Sequence, residues 1–301
     1  MRANEYYRAR FGCKVYKLAL DGGMTCPNRD GTKGNRGCIF CSGAGSGDFA
    51  EQPCGSVTAQ IEAAKRRVAA KMENGKYIAY FQSFTNTYAP VSRLEPLFAE
   101  AITHPDVAAL SVATRPDCLP DEVLALLARL DRIKPVFVEL GLQTIHPETA
   151  AWIRRGYPLP DYDRAVSRLR ALGLHTVVHV ILGLPGETEQ MMVQTAAYVA
   201  RSGADGIKLQ LLHVLEGTDL AALWRAGRVP TLSLEDYARL LGRCLAVLTP
   251  EMVIHRLTGD GAKKALLAPL WSADKKRVLN YVNRYLSARA AAEGERQSNV
   301  L

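Results

Sequence analysis

The sequence contains no apolar run approaching the ~20 residues needed to cross a bilayer, which excludes a helical membrane protein. A secretory h-region is also missing, and the expectation is a cytoplasmic protein. Histidine does not occur before His104, and there is a single CxxC pair. A structural zinc site normally closes with four Cys or His ligands, often as two such pairs, so that reading is short of donors. Seven cysteines is an odd number, which argues against a disulfide framework. No repeat, low-complexity tract or clear linker interrupts the 301 residues, as expected of one domain with a C-terminal elaboration.

What is present starts with Cys26, Cys38 and Cys41, spaced C-x11-C-x2-C, with Phe40 just before the last. They share a loop that opens with the basic, glycine-containing stretch Pro27 to Gly34. Three close thiolates suit a metal centre with one position left free. An iron–sulfur cube has four irons, and three protein ligands leave the fourth open to an outside molecule. Cys118 and Cys244 read as core thiols, while Cys13 and Cys54 flank the triplet without matching a ligand spacing. The hydrophobic share of 48% and charged share of 23% are those of an ordinary globular protein. A net charge of +8 favours a polyanionic partner, nucleic acid first, the alternative being a surface of solvated lysines.

Along the chain, strands alternate with amphipathic helices. Strands are expected at Val15 to Leu20, Tyr77 to Phe81, Val107 to Thr114, Val136 to Leu142, His175 to Leu182 and Gly206 to Leu212. Helices are expected from Ser56 to Met72, from a Ser92/Glu95 capping box to Thr103, and from Asp121 to Leu130. Others are expected around Tyr162 to Leu172, from Thr188 to Arg201 and from Ser233 to Leu248. Six β-then-α units with nearly all-apolar strands imply an α/β fold, a parallel sheet buried on both faces and curled into a partial (β/α)6 barrel. Residues 1–227 form the expected core. Residues 228–301, with a further strand from Met252 to Leu257 and a basic helical tail, form an extension packed on it.

Such barrels keep their working residues at the C-terminal strand ends. Gln82, Ser83, Thr85 and Asn86 follow strand two, and Thr114 and Arg115 close strand three. Glu139 and Gln143 belong to strand four, and His179 and Ile181 to strand five. A lone histidine on an apolar strand is either a satisfied core group or a catalytic one. Glu139 lies among Val136, Phe137, Val138 and Leu140, so its carboxylate needs a partner, and a ligand amine or hydroxyl pair would serve.

A three-cysteine loop after the first strand of a partial barrel, with an aromatic before the last cysteine, resembles the radical S-adenosylmethionine (SAM) enzymes. Ala113 to Asp117, Val138 to Thr144, Arg154 to Tyr157 and His179 to Glu187 resemble the branch that includes elongator-type enzymes and oxygen-independent coproporphyrinogen oxidases. Tyr80 to Pro90 and His255 to Gly261 are similar to a narrower bacterial family, some members of which act on the modified wobble uridine of tRNA. The resemblance implies a [4Fe–4S] cluster on Cys26, Cys38 and Cys41, with SAM chelating the open iron and yielding a 5′-deoxyadenosyl radical on one-electron reduction. It implies Phe40, His179 and Ile181 near the adenosine, and Gln82, Asn86, Thr114, Arg115, Glu139, Gln143 and Arg155 around the amino, carboxylate and ribose groups. Ser83 to Asn86 depart from the glycine-rich segment of relatives. The implied reaction removes the carboxymethyl group of 5-carboxymethylaminomethyl-uridine to leave 5-aminomethyl-uridine.

Implied partners are tRNA, a reducing donor such as flavodoxin or ferredoxin, and a downstream methyltransferase; no membrane is among them. The acetyltransferase domain of elongator-type enzymes is not expected within this length. Two other readings compete: a radical enzyme with a small anionic metabolite or tetrapyrrole as substrate, and a non-enzymatic metal-binding nucleic-acid module.

Overall fold

The structure, a computed structural model, describes residues 1–45, 47–48, 50, 55–72, 74–259, 261 and 263–298; for residues 71 and 290–298 only the backbone is described. Cys54 and Asp260 lie outside the described residues. The elements run α1 (Ala3–Phe11), β1 (Lys14–Leu20), α2 (Val57–Val68), β2 (Gly75–Phe81), α3 (Val91–Thr103), β3 (Val107–Thr114), α4 (Asp121–Asp131) and β4 (Val136–Gln143). They continue with α5 (Pro147–Trp152), α6 (Leu159–Ala171), β5 (His175–Leu182), α7 (Glu189–Arg201), β6 (Gly206–Leu211), β7 (Val214–Leu215) and α8 (Asp219–Arg225). The last are α9 (Leu234–Leu245), β8 (Val253–Arg256), β9 (Leu266–Ala268) and α10 (Lys275–Ser298).

Seven strands form one all-parallel sheet in the order β1-β2-β3-β4-β5-β6-β8, curled into a half-barrel. The alternation of apolar strands and one-faced helices produces it. In α4, Val123, Leu124, Leu126, Leu127 and Leu130 are buried while the intervening residues meet solvent, so the helix covers a sheet face that is itself apolar. Ser56, Thr188 and Ser233 cap their helices by accepting a backbone N–H.

One expectation needs correcting. The Ser92/Glu95 capping box does not form. Pro90 is the N-cap and its carbonyl accepts from Arg93 and Leu94, so Ser92 falls inside the first turn, while Glu95 pairs with Arg129 at 2.8 Å. The expected partial barrel forms, and the further strand expected beyond residue 227, β8, joins its sheet by pairing in parallel with β6. Core and extension therefore share one sheet.

Helix α1 was not legible in the sequence, because among its residues only Tyr7 is fully buried. It crosses the open side of the half-barrel. Arg2 bridges to Ile254 of β8, and β1 follows at once on the opposite sheet edge. Its Tyr7 packs with Ile78, Ala109, Phe137 and Val177, each from a different strand, to plug the barrel floor. Two residues further along the strands the inward positions turn polar, with Lys17, Tyr80, Ser111, Glu139, His179 and Lys208. Two further still, Ala19, Ala113 and Gly141 are small and stand beside Gln82, Ile181 and Gln210, and a cavity opens there.

Candidate active site

The cavity, about 1040 Å³, is lined by Cys26, Cys38 and Cys41 and by Phe40, Gln82, Thr114, Arg115, Glu139, Gln143, Arg155, His179 and Ile181. These residues come from the loop after β1 and from β2 to β5 or the segments just after them, so the C-terminal strand ends gather what the sequence scatters. Asn86 is the exception. It is fully buried behind the wall, and its amide NH2 joins the carbonyls of Phe81 and Ala113, each at 3.0 Å.

The cysteine loop is held from several sides. Ile39 N–H donates to the Ile153 carbonyl at 3.2 Å, and Lys33 pairs with Asp117 at 2.8 Å. Arg29 donates to the carbonyls of Cys41 and Ser42. On the other flank, Phe84 N–H donates to Gly45, and a Cβ on Gly47 would sit 2.0 Å from Ser83 Oγ. The loop and the segment after β2 thus pack too closely there for any side chain but hydrogen. The Cys38 thiol is pulled down to about 7, chiefly by its contact with Cys41, with the Asn28 amide and the charges of Arg115 and Arg154 assisting against burial. A thiol that ionises near neutrality is what a metal ligand requires.

The arginines are less open than the resemblance implied. Arg115 makes a two-pronged pair with Asp117, both bonds 2.9 Å, and donates to the Arg155 carbonyl at 2.8 Å. Arg155 spends four N–H bonds on the carbonyls of Leu142, Thr144 and Tyr157 and stacks 4.4 Å over the Tyr157 ring. The guanidinium groups build the wall and give it positive charge. Thr114 shares a hydrogen bond with Thr87.

Glu139 receives its partners from the chain itself. Its Oε1 accepts from Lys17 and from Ser111 at 2.7 Å; its Oε2 accepts from Lys208 and from His179 at 2.6 Å. Burial would raise this carboxyl, but the Lys17 and Lys208 ammonium groups outweigh it and hold Glu139 well below the usual range. Burial pushes His179 down to about 4, so Nε2 carries the proton given to Glu139. Burial also pulls Lys208 down, to about 7, against the attraction of Glu139. Lys17, Tyr80 and Lys208 were missed at the sequence level. Lys208 sits between Ile207 and Leu209 in the strand Gly206 to Leu211, a charged residue flanked by apolar ones as Glu139 is, and the same reasoning would have found it.

Gln143 shows whether the cavity suits a polar ligand. Its backbone lies at φ 70°, a conformation that costs a non-glycine residue ~1 kcal/mol or more. Its Oε1 is buried with no hydrogen-bond partner. An unmatched buried acceptor costs about 1–3 kcal/mol, which a ligand amine or hydroxyl would recover. Three thiols at one end and an orphaned acceptor in the wall fit a cluster with a polar organic ligand beside it.

Residues 30–199 match the radical SAM superfamily, and residues 204–288 match the radical SAM C-terminal domain. The chain belongs to the radical SAM superfamily. Members use a [4Fe–4S] cluster and SAM, and this chain is a radical SAM enzyme with those cofactors. It is 45% identical to the uncharacterized protein YtqA of Bacillus subtilis over 97% of this chain and 91% of that one. With the protein YhcC of Escherichia coli the identity is 40%, over 92% and 89%. A tRNA uridine(34) acetyltransferase of Methanocaldococcus jannaschii is 26% identical over 54% of this chain, which spans 31% of that protein. In fold, the chain resembles the Elp3 of Methanocaldococcus infernus, with a TM-score of 0.69 and 17% identity, over 92% of this chain and 63% of that one.

Proposed function

We propose that this radical SAM enzyme modifies tRNA at the wobble uridine. The observation that carries the reading is the distribution of charge around one cavity. Arg67, Lys263 and Lys275 are exposed and line it, so they stand at its opening, while the three thiols line its interior. Phosphates held by that rim would leave a splayed base free to enter. The likeness to a tRNA uridine(34) acetyltransferase over 54% of the chain supports the same class of substrate. Lys65, on the same helix as Arg67, is paired with Glu62 and Asp106 at 2.7 and 2.6 Å. Of the aromatics near these strand ends, Tyr157 is buried in the wall and Trp152 is 38% exposed.

Cys26, Cys38 and Cys41 would hold the cluster, and Gln143 and Gln82 would orient SAM from the wall, with Phe40 and Ile181 packing beside it. When bound, these cofactors supply a carbon-centred radical able to take a hydrogen from the substrate. The chain must then keep that site dry. Tyr7, Ile78, Ala109, Phe137 and Val177 close the floor, and the Lys17–Glu139–Lys208 layer above them carries no unpaired carboxylate. The reading implies a cytoplasmic enzyme with a donor such as flavodoxin or ferredoxin. Where the product is an aminomethyl base, a methyltransferase would follow.

The test is mass spectrometry of tRNA nucleosides from cells with and without the gene. The expected result is a changed wobble uridine, whose mass difference gives the group added or removed. An unchanged profile contradicts the reading. It would favour a small anionic substrate taken into the same cavity.

A further inference from the structure

We infer that Asn28 is a positioning residue that fixes Cys38 for the cluster and raises the cluster's reduction potential through an N–H···S hydrogen bond. The inference rests on Cys38 being a cluster ligand. Asn28 is 4% exposed and lies in the cysteine loop, ten residues before Cys38. Its Nδ2 stands 3.4 Å from Cys38 Sγ, 2.7 Å from the Arg154 carbonyl and 3.2 Å from the Arg155 carbonyl. Two carbonyl oxygens around one side-chain atom require that atom to be the donor, which settles which end of the amide faces the sulfur. The backbone of Asn28 is tied as well, its carbonyl accepting from Gly37 N–H at 2.7 Å.

The turn that receives the amide is shaped for it. Arg154 lies at φ 58° and Gly156 at φ 78°. A Cβ on Gly156 would come within 2.5 Å of Asn28 Oδ1, so only glycine lets the turn approach. That turn also contains Arg155, whose carbonyl binds Arg115 and whose guanidinium forms the cavity wall. One buried side chain thus links the sulfur of Cys38 to the wall that faces it. The two carbonyl bonds tie the cysteine loop to the 154–156 turn and, in doing so, hold the amide nitrogen against the Cys38 sulfur. A donor on a ligand sulfur stabilises the more negative, reduced cluster over the oxidised one, so its loss makes reduction harder.

The experiment is a potentiometric titration of the anaerobically reconstituted full chain, read by electron paramagnetic resonance, with iron measured on the same samples. Asn28→Ala is expected to load iron and to shift the reduction equilibrium about tenfold towards the oxidised state, 59 mV for one electron. Asn28→Asp keeps the side-chain volume but replaces the donor with a negative oxygen, and a larger shift in the same direction is expected. Gly156→Ala, which crowds the amide from behind, should shift it less. Loaded Asn28→Ala and Asn28→Asp with the wild-type potential overturn the inference. A folded Asn28→Ala that binds no iron supports the holding role directly, and Asn28→Asp then carries the potential measurement. Full iron loading in Cys38→Ala removes the underlying ligand assignment instead, so the two failures are told apart.

Discussion

Two rings of the barrel interior lie one layer apart and solve opposite problems. The lower ring places Lys17, Glu139, His179 and Lys208 around Ser111 and Tyr80, and every oxygen of its one carboxylate is filled by the chain. The upper ring, formed by the cysteine loop with Gln82 and Gln143, leaves thiols uncommitted to disulfides and an acceptor unmatched. The lower ring is complete without a ligand. The upper ring is not, and polar groups left unfinished at a cavity wall are the better guide to where a cofactor binds.

The largest effect expected from disturbing that contrast is in the lower ring. Glu139→Gln leaves the buried Lys208 and the half-buried Lys17 facing a neutral amide, and loss of about 3 kcal/mol in denaturant unfolding is expected. Iron binding per folded chain should persist, since the thiols belong to the other ring. The same ring gives a pH signature. Lys208 gives up its proton near 7 in the folded state, whereas the unfolded chain keeps it until ~10.4. Between those values the unfolded state binds more protons, so this group's contribution makes stability rise with pH across that window. Lys208→Met should flatten that rise relative to the wild type; an identical pH slope in the two proteins would contradict the assignment.

In the upper ring the trade runs the other way. Gln143→Gly relieves a φ of 70° and should stabilise the fold by about 1 kcal/mol while weakening SAM binding in equilibrium dialysis. A loss of stability with unchanged affinity would make Gln143 a structural residue. The smallest effect belongs to the rim. Lys263→Ala and Lys275→Ala should each reduce the salt slope of tRNA binding by about 1, measured by filter binding over a range of ionic strength.

Much of this architecture was legible because parallel strands covered on both faces must be apolar. His175 to Leu182 could be bounded to the residue, and the structure brings Cys26, Cys38 and Cys41 to one cavity. What escaped the sequence was whatever depends on a distant partner. Helix α1 shows little amphipathic pattern, because its work is done by Tyr7 against strands far along the chain. Glu139 was rightly marked as needing a partner, but nothing local said that Lys17 and Lys208 would supply it. Ser92 and Glu95 had the spacing of a cap, yet Pro90 began the helix earlier. Asn28 looked like one more polar residue in a glycine-containing loop until the 154–156 turn was seen against it.

The most direct test is reconstitution of the wild type and of the Cys26→Ala/Cys38→Ala/Cys41→Ala triple variant without oxygen, followed by reduction in the presence of SAM. About four irons per chain, with SAM consumed by the wild type and neither outcome in the variant, is the expected result. Iron-replete variant protein that still consumes SAM, or a wild type that takes up zinc and leaves SAM intact, would contradict it.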